Sequence, residues 1–242
     1  MKILITGASS GLGAELARQY ATKKNELILL ARREEKLVNL KNELFESVKS
    51  VEIIVADVRA FKTLQEKIKK IGTVDTVILN AGISLGPKNG IPTIESFKNL
   101  YDVNLLANHA ILEVLLPHLL AQGSGKIVFI SSLASLFTMP GSEVYSSSKR
   151  ALNAYADGIR HQYSKDGLKV ITILPGFIKS EMTDKNEFNM PLIIDLETGV
   201  SRIKKAIDKG KEFYAFPSRL YLIIRFLSLL PSFLIQKILR AI

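Results

Sequence analysis

The chain has 242 residues, 47% of them apolar and 23% charged, the size and balance of one globular α/β domain with a full core. It has no cysteine, which excludes disulfides, thiolate metal sites and a cysteine nucleophile. Its three histidines (His109, His118, His161) show no zinc-ligand spacing, so no metal is expected. The net charge of +10 suits an anionic ligand or surface, but no compact Lys/Arg block or nucleic-acid motif points to a nucleic-acid partner.

Apolar runs and helical periodicity alternate along the chain. Residues 3–5 predict a short strand ending at Thr6-Gly7, and 12–20 a helix. Residues 26–31 predict a second strand, 34–48 a charged amphipathic helix, 51–55 a third strand and 63–71 a helix. A fourth strand follows at 74–79, then a long helical region over 97–120 with an interruption near its start. Residues 126–131 read as strand five, 143–164 as a helix and 170–174 as strand six. Continuous apolar runs suit parallel strands buried on both faces, and the alternation implies right-handed crossovers in a doubly wound α/β sheet. Such sheets bind ligands beyond the carboxyl ends of their strands. The expected division is a Rossmann-type catalytic domain over 1–216, with a variable substrate lid at about 181–212, and a helical extension over 217–242. The apolar strand that follows Lys2 at once leaves no room for a secretory leader, so a cytoplasmic location is expected.

The loop after strand one reads Thr6-Gly7-Ala8-Ser9-Ser10-Gly11-Leu12-Gly13. Glycines there let the backbone turn tightly and approach a pyrophosphate, and the helix amino terminus offers N–H groups and partial positive charge. A glycine triplet alone also fits a plain strand–helix turn; its place between a strand and a helix favours the cofactor. Strand two ends at Ala31 and is followed by Arg32 and Arg33, where an NAD-selective site would carry a carboxylate for the ribose 2′-hydroxyl. Guanidinium groups suit a 2′-phosphate, so NADP(H) is the expected cofactor. After strand three, Asp57 and Val58 would meet the adenine, the carboxylate accepting from its amino group; a cap for the next helix is the alternative. Asn80-Ala81-Gly82, after strand four, would let the nicotinamide half pass close to the backbone.

Tyr145 and Lys149 are four residues apart on a predicted helix and so share a face. A free tyrosine titrates near ~10, and a nearby ammonium is expected to lower that value. Ser132 lies at the end of the strand-five run. Taken alone, the pair is also what a surface tyrosine beside a solvated lysine would look like.

Together, Thr6-Gly7-x-x-x-Gly11-x-Gly13, Asn80-Ala81-Gly82, Asn104, Ser132, Tyr145-x-x-x-Lys149 and Pro175-Gly176 resemble the short-chain dehydrogenase/reductase family over residues 1 to about 180. The resemblance implies a sheet of about seven strands and an Asn104–Ser132–Tyr145–Lys149 tetrad. Ser132 would hold a carbonyl oxygen and Tyr145 would donate the proton as hydride arrives. Lys149 would bind the nicotinamide ribose and lower the tyrosine pKa, and Asn104 would hold a water. Residues 175–178, Pro175-Gly176-Phe177-Ile178, would wrap the carboxamide, with Ser180 supplying a hydroxyl and Thr183 in reserve. Ser135 stands where the family often has glycine, and no role is assigned to it.

Met182, Phe188, Met190, Pro191, Leu192, Ile193 and Ile194 would form an apolar lid or pack on the sheet. No cation stands out as an anchor for an acidic substrate, so a lipophilic carbonyl compound or alcohol is expected. Of the last 30 residues 20 are apolar, four basic and none acidic. Leu220, Ile223, Ile224 and Leu227 share one helical face, and Ile235, Ile238, Leu239 and Ile242 another. Arg225, Pro231 and Lys237 break any span of ~20 apolar residues, which leaves two short amphipathic helices on a membrane surface, a subunit interface or a cover for the core. A homodimer or homotetramer is expected. The reading is an NADPH-dependent carbonyl reductase; an NAD-linked alcohol dehydrogenase and a non-catalytic NADP-binding sensor or scaffold are the alternatives.

Overall fold

The structure is a computed structural model and describes residues 1–86, 90–184 and 190–240. Seven parallel strands form one sheet: β1 (Lys2–Thr6), β2 (Glu26–Ala31), β3 (Ser50–Val55), β4 (Thr76–Leu79), β5 (Gly125–Ile130), β6 (Leu168–Pro175) and β7 (Phe213–Phe216), in the order β3-β2-β1-β4-β5-β6-β7. The chain winds outward from β1 in one direction, returns, and winds out the other way from β4. The crevice between the carboxyl ends of β1 and β4 is therefore where a ligand can enter between diverging loops.

The helices are α1 (Gly11–Tyr20), α2 (Glu34–Leu44), α3 (Phe61–Lys69), α4 (Ile94–Tyr101), α5 (Ala107–Gln122), α6 (Glu143–Gln162), α7 (Leu196–Asp208), α8 (Ser218–Leu227) and α9 (Ser232–Arg240). One apolar layer joins α1, α2 and α7 to one face of the sheet through Ile3, Ile5, Leu16, Leu37 and Ile203. The opposite layer packs α3, α5 and α6 through Leu4, Leu64, Val77, Leu115 and Phe129. Both faces are covered, which is why the strands read as unbroken apolar runs.

The long helical region expected over 97–120 is divided. A five-residue π-helical segment, Asp102–Leu106, separates α4 from α5, and it carries Asn104. Phe213–Phe216 forms the seventh strand, paired with β6 from Thr172↔Phe213 to Pro175↔Phe216, and α8 and α9 follow it. Ile94–Gln122 is long and apolar enough to cross a membrane, but its residues Leu100, Ile111, Leu115 and Leu119 are buried in the core.

Candidate active site

The glycine loop is shaped by its close neighbours. Gly7 has φ +68, and a Cβ on it would lie 2.9 Å from the Ala81 backbone. A Cβ on Gly13 would lie 2.3 Å from the Gly7 carbonyl oxygen and 2.7 Å from Asn80 Nδ2. Thr6 ties this loop to the one after β4: its Oγ1 accepts from the backbone N–H of Asn80 and of Ala81, each at 2.9 Å, and Asn80 Nδ2 donates to the Thr6 carbonyl at 2.9 Å. No side chain caps α1. The first-turn N–H groups of Gly11, Leu12 and Gly13 are therefore left without a side-chain cap, as donors for a ligand. This donor set at a helix amino terminus fits a dinucleotide pyrophosphate.

At the far side of the loop, Arg33 Nε donates to Ser9 Oγ at 3.1 Å, and its Nη2 donates to Ser10 Oγ. Arg32 lies 3.7 Å from Asp57. Asp57 is held mainly by Arg59, through its backbone N–H at 2.9 Å and its Nη2 at 2.6 Å, and these bonds bring the carboxyl down to about 2. Asp57 does not cap α3, whose cap position is Ala60; Val58 beside it is buried.

Tyr145 and Lys149 lie on the first turns of α6. Lys149 is 4% exposed, its Nζ donates to the Ile130 carbonyl at 2.9 Å, and it stands 5.9 Å from the Tyr145 ring centre. Ser132, just past β5, interacts with the Tyr145 hydroxyl. Ser132 Oγ accepts the Ala134 N–H at 3.1 Å, so its own proton remains for an acceptor such as a phenol or carbonyl oxygen.

The titration of the pair runs against the sequence-based expectation. Burial raises the Tyr145 pKa, and the contact with Ser132 opposes it only in part. Burial also lowers Lys149 to about 8. Desolvation penalises both charged forms, raising the phenol and lowering the ammonium.

Asn104 is fully buried. Its Oδ1 accepts from the Ile83 N–H at 2.8 Å, and its Nδ2 donates to the Ile83 carbonyl at 3.0 Å and to Ser148 Oγ at 3.1 Å. Both amide donors are used, which leaves one lone pair on Oδ1 for a water. A Cβ on Gly82 would stand 3.4 Å from both Asn104 Oδ1 and Lys149 Nζ, so this glycine keeps open the space those two polar ends flank.

Other residues brace the site without a role in the sequence reading. Ser135 donates to the Ser132 carbonyl at 2.6 Å and accepts from Asn153 Nδ2 at 2.7 Å, while Arg150 Nε donates to the Ser135 carbonyl at 2.9 Å. These bonds fix the turn that presents Ser132 to α6. The spacing Ser132-x-x-Ser135 was the signal available for this.

After β6, Gly176 packs under Leu220 and Pro217, at 3.0 Å from where its Cβ would be. Ile178 is buried and bridges to Ile194. Ser180 lies over the glycine loop, its Cβ 3.6 Å from a Cβ built on Gly11. Thr183 Oγ1 accepts from the Ser180 N–H at 2.8 Å and donates to the Ile178 carbonyl at 2.9 Å, so both hydroxyl residues stand in one tight turn. Of the expected lid, Met182, Leu192 and Ile193 are exposed and Ile194 is partly buried; Phe188 lies outside the described residues. A small recess lined by Leu85, Gly86, Pro92, Gly141, Val144 and Tyr145 opens beside the phenol.

A parallel sheet with a glycine-loop helix at its switch point, beside a Ser–Tyr–Lys cluster, defines a nucleotide-dependent oxidoreductase. The chain matches the short-chain dehydrogenase family over residues 1–190. It is 37% identical over 223 residues to an uncharacterised oxidoreductase of Mycobacterium tuberculosis, covering 89% of this chain and 88% of that one. An 11-beta-hydroxysteroid dehydrogenase-like 2 protein of Arabidopsis thaliana is 35% identical over 221 residues, covering 86% of this chain and 69% of that one. Among solved structures, a short-chain dehydrogenase from Sphingobium yanoikuyae in complex with NADPH superposes with a TM-score of 0.82 at 25% identity, covering 90% and 88% of the two chains. The protein belongs to the short-chain dehydrogenase family, and it is an oxidoreductase with a nicotinamide cofactor and a small-molecule substrate.

Proposed function

We propose that the protein reduces ketones or aldehydes with NADPH, reversibly, and that its substrates are lipophilic. The observation that carries this reading is the placing of Tyr145, Ser132 and Lys149 beside a glycine loop whose outer wall bears Arg32 and Arg33. When bound, NADPH would supply the hydride for the carbonyl carbon. Ser132 donates a hydrogen bond to the carbonyl oxygen and fixes its position. Tyr145 gives its proton to that oxygen as charge develops there, closing the O–H bond of the alcohol. Burial raises the phenol's pKa, so Tyr145 carries its proton into the reaction. Lys149, charged below about 8, stabilises the phenolate left behind and returns a proton to it. Asn104 holds the loop after β4 against α6 and offers Oδ1 to a water beside Lys149. Gly7, Gly11 and Gly13 would hold the pyrophosphate, and Pro175, Gly176, Ile178 and Ser180 the carboxamide side.

The lipophilic preference is supported by the exposed apolar residues Met182, Leu192 and Ile193 above the carboxyl ends of the strands, and by the steroid-dehydrogenase-like relative. The extension over 217–242 is assigned to an anionic membrane surface, supported by its exposed apolar and basic residues. The test of the catalytic reading uses purified protein, NADPH and a panel of aliphatic, cyclic and steroid-like ketones. Turnover is expected, and Tyr145→Phe should lower kcat by roughly 10²–10⁴ while leaving the Kd for NADPH within about twofold. Absence of turnover across the panel, or full activity in Tyr145→Phe, overturns it.

A further inference from the structure

Glu181 follows the glycine-covering residue Ser180, and its carboxylate reaches back to the start of α2. Its Oε2 lies 3.0 Å from Arg33 Nη1 and its Oε1 2.6 Å from Lys36 Nζ. Arg33 is in turn oriented by Ser9 and Ser10 of the glycine loop. Two cations, one of them (Arg33) steadied by two hydroxyls, thus converge on one oxyanion brought from 145 or more residues away in the chain. This is a binding set for a phosphate as much as for a carboxylate, because both present oxygen atoms to a guanidinium fork and an ammonium. The two oxyanions would repel each other and cannot share it.

We propose that Glu181 is a latch on the phosphate site: its carboxylate takes the place of the cofactor's 2′-phosphate on Arg33 and Lys36, and NADP(H) displaces it on binding. The proposal rests on the NADP reading given above. The latch closes the segment after β6 over the glycine loop, where the Ser180 Cβ stands 3.6 Å from a Cβ position on Gly11. Displacing Glu181 frees that segment, so the phosphate's arrival opens the cover as the cofactor enters. Lys36 and Arg33 hold the carboxyl down to about 2, so it stays charged at every working pH. Its side chain is 53% exposed, so the contacts are weak enough for a doubly charged phosphate to win. A cofactor without the 2′-phosphate leaves these contacts in place, so the cost of breaking them falls on NADP(H) alone and narrows its advantage over NAD(H).

Direct binding of NADPH and NADH to the purified full chain, followed by fluorescence titration, tests this without any turnover. Glu181→Gln should tighten NADPH by about three- to tenfold and NADH by less than about twofold. In an Arg33→Ala/Lys36→Ala background the same substitution should change neither affinity. No tightening, an equal gain for both cofactors, or weaker NADPH binding in Glu181→Gln overturns the latch, while the NADPH preference of the unaltered protein still stands. If the unaltered protein binds NADH as tightly as NADPH, the cofactor reading falls and the latch falls with it.

Discussion

Lys149 pays for its place in the site with its own charge. It is 4% exposed, and burial lowers its pKa from 10.5 to about 8. Between those two values the unfolded chain binds more protons than the folded one, so stability must rise with pH across that window. Below about 8 the buried ammonium opposes folding by about 3 kcal/mol. Lys149→Met keeps the bulk and removes the charge. We expect the variant to gain on the parent at about pH 7, and the difference to shrink by about 2–3 kcal/mol toward pH 10.5, read from paired urea unfolding curves. A difference that stays constant with pH would show the ammonium to be hydrated. The same substitution should also reduce activity strongly, because it leaves the Tyr145 phenolate without its cation.

At the scale of elements, two helical glycines make opposite predictions. A Cβ at Gly13 would meet the Gly7 carbonyl oxygen at 2.3 Å, a backbone atom that cannot give way without moving the loop. Gly13→Ala should cost about 1–3 kcal/mol and weaken cofactor binding, measured by thermal unfolding and titration. Gly158, on the exposed side of α6, has nothing within 4 Å of its Cβ position. Gly158→Ala should stabilise by about 0.5–1 kcal/mol with activity unchanged. The strand–helix alternation that sets these elements was readable because each buried strand is a continuous apolar run and each helix has a polar face. Motifs at strand ends were readable for the same reason: Thr6, Asn80, Ser132 and Pro175 follow runs whose ends are sharp. Three things were not readable. The strand Phe213–Phe216 is only four residues long and runs into an apolar tail, and its pairing with β6 defines it. The π-helical turn at Asn104 has no composition of its own. The shifts of Tyr145 and Lys149 depend on what surrounds them in space, and spacing along the chain carries no measure of burial.

At the scale of the whole molecule, the surface apolar residues are unevenly spread. Leu222, Ile223, Phe226 and Leu229 on and after α8, and Phe233 on α9, are all more than half exposed. Leu220 of α8 is buried against Leu133 and Leu174, with Phe177 packed beside them, so the exposed face stands on the same foundation as the turns that carry Ser132 and Gly176. Arg219, Arg225 and Lys237 are exposed on the same two helices, and no acidic residue occurs after Glu212. An isologous contact between two copies would bring these like charges together with no carboxylate from the extension to pair them. An anionic bilayer would supply both partners: acyl chains for the apolar face and headgroups for the cations, worth about 1 kcal/mol per basic residue near the surface. Vesicles of phosphatidylcholine with about a third phosphatidylglycerol should therefore carry the protein up in a flotation gradient at low salt, and pure phosphatidylcholine vesicles much less. Replacing Arg219, Arg225 and Lys237 by Glu should reduce partitioning by at least roughly tenfold, and Phe226→Asp with Phe233→Asp should abolish it, both leaving the Kd for NADPH unchanged. Failure to float, together with a dimer that Phe226→Asp dissociates in light scattering, would give the face to a second subunit instead.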